Sequence, residues 1–143
     1  MEILALLYMM RSSRPDMAIS PVHTWTNESL AAIVAGLDPQ PDDRILSVCG
    51  SGAQPLALLE RVSGSGRVVA VDIFPDQLEY AKLLAGFVRT GRSEKIRHIS
   101  PRDSGYFDDA GRLAHIQANL GKLSFVEGDI VDQGSAGQFT KVY

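Results

Sequence analysis

Three short clusters in the sequence combine glycine and carboxylate in a way that suits the recognition of a nucleoside. Gly50-Ser51-Gly52 follows a strongly apolar run. Glycine there lets the backbone turn sharply and approach a ligand closely. Asp72 comes about 20 residues later, where a carboxylate can accept hydrogen bonds from both hydroxyls of a ribose. Gly128-Asp129-Ile130 is the third cluster. An acid there can accept from an adenine amino group while its apolar neighbour covers the ring. A lone Gly-Ser-Gly is usually a plain turn, and a lone acid at a strand end is usually solvated. Their order along the chain, each after a strand-like run, is what points to a ligand site.

The spacing also says which nucleosides to exclude. A dinucleotide fingerprint needs a third glycine three residues after the second, for close helix–strand packing beside a pyrophosphate. That position is Pro55. A phosphate loop of the Walker type needs Gly-Lys followed by Ser or Thr. The only Gly-Lys pair, Gly121-Lys122, is followed by Leu123. A ligand with a ribose and an adenine but no phosphate fits better, and a nicotinamide-dependent oxidoreductase is disfavoured.

Regular elements must position these clusters. Ile45 to Cys49 and Val68 to Asp72 are short apolar runs that suit strands buried on both faces. Leu123 to Val126 gives a third strand and Phe139 to Tyr143 the start of a fourth. Between them the apolar period changes to that of helices. Leu30, Ile33, Val34 and Leu37 share one face, with Thr26 or Asn27 as the expected N-cap. Pro55 and Pro75 suit first turns, and Leu113, Ile116 and Leu120 mark a further helix. This alternation predicts an α/β, Rossmann-like parallel sheet with helices on both faces. The chain is expected to stop after the start of the fourth strand, which leaves an edge through which a homo-oligomer could form. Residues 1–25 read as an N-terminal helix (apolar Met1 to Met10) and a connection, and residues 26–143 as the ligand-binding domain. The polar stretch of about 90–110 reads as an irregular insertion.

Composition narrows the classes further. The chain has 143 residues, 45% of them hydrophobic and 22% charged, as in an ordinary globular domain. Its net charge of -3 gives no footprint for nucleic acid. The single cysteine excludes an intrachain disulfide, and His23, His98 and His115 lie too far apart to suggest a metal set. Met1 to Met10 is too short to span a bilayer and lacks the features of a secretory signal, so a cytoplasmic location is expected.

With these residues in view, the chain resembles the class I S-adenosylmethionine-dependent methyltransferase family from roughly residue 26 onward. Ile45 to Gly52 is similar to its first motif, Val68 to Asp72 to its second, and Leu123 to Ile130 to its adenine-binding segment. The resemblance implies S-adenosylmethionine as cofactor. It places Gly50 and Gly52 at the methionine end, Asp72 on the ribose and Asp129 at the adenine. The candidate cofactor-binding set is thus Cys49, Gly50, Ser51, Gly52, Asp72, Ile73, Asp129 and Ile130. The chain departs from the family at Ser47, where an acid is usual, and at Cys49, where a glycine is usual. Those departures, with Gln54 and Pro75-Asp76-Gln77-Leu78, are similar to the aminocarboxypropyl transferases of betaine-lipid synthesis. Methyl transfer is the leading expectation, aminocarboxypropyl transfer its rival, and a non-catalytic nucleoside-binding or assembly module the third reading. Trp25-Thr26-Asn27-Glu28 could approach the cofactor from the preceding segment. No catalytic residue or acceptor is assigned. His98, Asp103, Tyr106, Asp108 and Asp109 are possible acids or bases, with a solvated polar loop as the simpler reading.

Overall fold

The computed structural model describes residues 19–143; the apolar opening expected to be helical lies outside them. Helix α1 covers Leu30–Leu37 and buries Leu30, Ile33 and Val34. Its cap is Ser29, whose side chain accepts from the Ala32 N–H at 3.4 Å. The expected caps, Thr26 and Asn27, lie ahead of the helix, and Thr26 is used elsewhere. Asp38 ends the helix in a left-handed conformation, φ 47°, and its N–H bonds back to the Val34 carbonyl.

Strand β1 (Arg44–Val48) leads into α2 (Ala53–Leu58), β2 (Arg67–Asp72) and the long helix α3 (Pro75–Arg89). Strand β3 covers Leu123–Glu127, α6 Ile130–Ala136 and β4 Lys141–Val142. The sheet is parallel throughout, in the order β3-β2-β1-β4. This is the expected Rossmann-like α/β architecture. Register is strict in the centre, with Ile45 beside Val68 and Val48 beside Val71, and Val71 in turn beside Val126. Ile45 and Val68 face a core completed by Leu56 of α2, Leu59 just beyond it, and Leu84 and Val88 of α3. Each such side chain, once fully buried, contributes about 1.5–3 kcal/mol of transfer free energy. Helix α6 covers the opposite face of β1 and β2, and Gly134 lies close over Leu46.

The polar stretch at about 90–110 corrects the expectation of an irregular insertion. Ser93–Ile99 forms helix α4 and Ser104–Phe107 a 3₁₀ turn, followed by α5 over Ala110–Asn119. Ile96, Phe107 and Ile116, each no more than 1% exposed, join the main core. Side chains finish the attachment. Asn119 donates to the carbonyls of Leu59 and Val62 just beyond α2, at 2.9 and 2.8 Å. The Arg112 guanidinium lies 4.1 Å from the centre of the Tyr106 ring, and the Tyr106 hydroxyl donates to Glu60. Burial, reinforced by Glu60, pushes the Tyr106 phenol well above its usual range.

Because Phe107 is part of the core, Phe107→Ala should lower stability by about 3–5 kcal/mol. Urea unfolding checks this, and a loss below about 1 kcal/mol would mean the segment is only loosely attached.

Candidate functional site

The three clusters meet at the carboxyl ends of neighbouring strands. The Cys49 N–H donates to the Val71 carbonyl at 2.7 Å, and the Gly128 N–H to the Asp72 carbonyl at 2.9 Å. These bonds carry the pairing of β1, β2 and β3 one residue past the strand ends, so both turns start level with Asp72. Strand order reverses at β1, with β2 and β3 on one side and β4 on the other. In open α/β sheets the crevice at such a switch point is where ligands bind.

The turn after β1 is built for close approach. Gly50 and Gly52 have φ values of 52° and 86°, and the Gly52 N–H donates to the Cys49 carbonyl at 2.8 Å. A Cβ on Gly52 would lie 2.6 Å from that of Ala81 in α3. At Gly50 it would lie 2.5 Å from the Gln54 side-chain nitrogen. The second glycine therefore serves helix packing as well as the turn.

Asp72 closes the arrangement. One carboxylate oxygen accepts from Gly50 N–H at 3.3 Å and the other from Phe74 N–H at 3.0 Å. Each oxygen keeps a further acceptor position, which suits a pair of vicinal hydroxyls. Ile73 is exposed beside it. Asp129 caps α6, accepting from the Val131 N–H at 2.7 Å, and its second oxygen makes no bond within the described residues. Ile130 is half-buried at the start of the same helix. Cys49 is placed differently from the rest of the set. It is fully buried, its thiol points to the Gln77 carbonyl, and burial pushes that thiol up to about 12. Its contribution is to shape the turn from below.

Sequence reasoning gave no definite role to the segment before α1. Residues 20–28 cross the mouth of the site as a strap. The buried Gln77 side chain accepts from the Val22 and His23 N–H groups at 3.1 and 3.0 Å and donates to the His23 carbonyl at 2.6 Å. The Thr26 hydroxyl donates to Gln54 at 2.9 Å and lies 3.2 Å from the Ser51 hydroxyl. The Thr26 N–H donates to Asp103 at 2.9 Å. Asp103 is 6% exposed; burial raises its carboxyl, against hydrogen bonds from Thr26 and Ser100 that lower it. Asp103 thus fixes the strap and is not a solvated loop acid. The one signal for this was an acid beside Ser100 and Ser104 in a stretch that otherwise reads as solvated. Trp25, on the strap, is covered by the Arg102 guanidinium at 4.7 Å. Between the strap and the turn lies an open cleft of about 260 Å³, lined by Thr26, Glu28, Val48, Gly50, Gln54 and Tyr143 among others.

With this geometry in place, comparison with known proteins gives a partial match. The chain is 49% identical over 47 residues to a protein-L-isoaspartate O-methyltransferase from Aeropyrum pernix. The matched stretch is 32% of this chain and 18% of that enzyme, so the likeness spans less than a fifth of the enzyme's length. No protein-family model matches the chain.

Two outcomes check the turn. Gly52→Ala meets both the left-handed φ, about 1–2 kcal/mol, and overpacking against Ala81, about 1–3 kcal/mol. Urea unfolding should therefore show a loss within the sum of those ranges, and an unchanged midpoint would contradict the close approach. Cys49 should resist a disulfide reagent at pH 8, where burial keeps its thiol protonated, and react once unfolded in urea. The same raised value means that the thiol destabilises the fold as pH rises from its ordinary range towards 12.

Proposed function

We propose that this chain is an S-adenosylmethionine-binding domain of a methyltransferase. One observation carries the reading: the glycine turn, the Asp72 carboxylate and the Asp129 carboxylate stand at the carboxyl ends of three adjacent parallel strands beside the switch point. That spacing suits the methionine end, ribose and adenine of one extended ligand. Among the described residues, the lining of the cleft holds no lysine or arginine for a phosphate. The partial likeness to an O-methyltransferase favours methyl transfer over transfer of the aminocarboxypropyl arm.

The cofactor, when bound, supplies an electrophilic carbon on a sulfonium; the protein supplies orientation and electrostatics. Asp72 would fix the ribose through its two remaining acceptor positions. Gly50 and Gly52 would let the amino-acid arm lie against bare backbone. Ile73 and Ile130 would shield the adenine from water. Reaction then depends on alignment with an acceptor nucleophile, since well-oriented groups react far faster than free ones. Asp103 and Tyr106 are already engaged in structural hydrogen bonds, and Asp109 caps α5 by accepting from the Arg112 N–H at 2.8 Å. None of these three is offered as the acid or base.

Calorimetric titration tests the reading. The purified chain should bind S-adenosylmethionine and S-adenosylhomocysteine in the micromolar range and NADH far more weakly. Asp72→Ala should weaken both adenosyl ligands by about tenfold or more, as expected for lost hydrogen bonds to a charged group. A folded chain that binds none of the three, or prefers NADH, would sink the proposal.

A further inference from the structure

The cofactor proposed above carries an α-ammonium beside an α-carboxylate at its amino-acid end in both adenosyl ligands, and a sulfonium besides in S-adenosylmethionine. That end would rest on the Gly50–Gly52 turn, and β1 offers it no negative charge. Ser47 is fully buried, and its hydroxyl is spent on the neighbouring Val48 carbonyl at 2.9 Å. Val48 and Cys49 carry none either. Asp72 stands one strand away and is committed to the ribose side. The wall opposite the turn does carry a carboxylate, Glu28 on the strap, the one acidic side chain lining the cleft among the described residues.

Glu28 is held from two directions. The Tyr143 hydroxyl donates to it at 3.4 Å. Tyr143 itself is pinned beside β1, its N–H bonded to the Leu46 carbonyl at 2.8 Å and its carbonyl to the Val48 N–H at 2.9 Å. On the other side, two residues along the strap, Thr26 is tied to Ser51, Gln54 and Asp103. Glu28 and Tyr143 thus meet at the rim of the switch-point crevice, whose lining also includes Gly50 and Gln54. An aromatic ring and a carboxylate around one opening suit an ammonium group, which is attracted to both.

We infer that Glu28, steadied by the hydroxyl of Tyr143 beside β1, receives the α-ammonium of the ligand's amino-acid arm. This assignment rests on the function proposed above. In it the strap supplies the charge that the first strand lacks.

The test uses three ligands that differ at that arm: S-adenosylmethionine, S-adenosylhomocysteine and methylthioadenosine, which has the ribose and adenine but no ammonium. Titration at pH 8 compares the natural chain, Glu28→Gln and Asp72→Ala, each checked for an unchanged circular dichroism spectrum. Glu28→Gln keeps a partner for Tyr143 at an exposed site, so folding should survive. It should weaken both amino-acid-bearing ligands by about fivefold, and methylthioadenosine by less than about twofold. Asp72→Ala should weaken all three. If the natural chain binds all three but Glu28→Gln lowers them equally, or not at all, the Glu28 assignment is overturned while the cofactor site stands. If the natural chain binds none, both fall together.

Discussion

The turn from β1 into α2 has to reverse the chain within four residues while α3 lies directly against it. Ala81 leaves no room for a side chain at Gly52, and the Gln54 amide leaves little at Gly50. Bonds from the Cys49 N–H to the Val71 carbonyl and from the Gly50 N–H to the Asp72 carboxylate then lock the turn to the next strand. The position of the ribose acid, the direction of α2 and the depth of the crevice all follow from this close packing. A larger residue in the turn would move α3, and with α3 the Gln77 side chain that holds the strap.

The strap is the second layer of the arrangement. It is made of backbone that would otherwise need water, and buried polar side chains, chiefly Gln77 and Asp103, satisfy its N–H groups. Those two residues come from α3 and from the segment after α4, so elements distant in sequence converge on one short peptide. The α4–α5 region therefore has two roles. It completes the core through Ile96, Phe107 and Ile116, and it lends Asp103 to the mouth of the site.

The strands and the glycine and acid clusters were legible in the sequence because they are encoded locally. Apolar runs such as Val68 to Val71 and breakers such as Gly50 have one simple reading, and the parallel order follows from the alternation of elements. Ser93 to Ile99 was not legible, since Ile96 is its one buried residue and, with Ile99 only partly buried beside it, the helix shows no apolar stripe. The cap at Ser29 was missed because Thr26 and Asn27 are equally good caps in isolation. Only tertiary partners, Gln54 and Asp103, draw Thr26 away. The burial of Cys49 could be read from its apolar neighbours, but the direction of its thiol could not. The strap was invisible for a related reason: its bonds run from its own backbone to side chains that lie more than 50 positions away in the chain.

The strap also carries the chain's single tryptophan. Trp25 is partly open to solvent, with a guanidinium over its ring and the cleft alongside. Every photon of indole emission from this protein thus originates at one place, the border between the cleft and the α4–α5 region. The molecule carries a built-in optical probe whose colour and quenching depend on how that border is packed, with no background from the core.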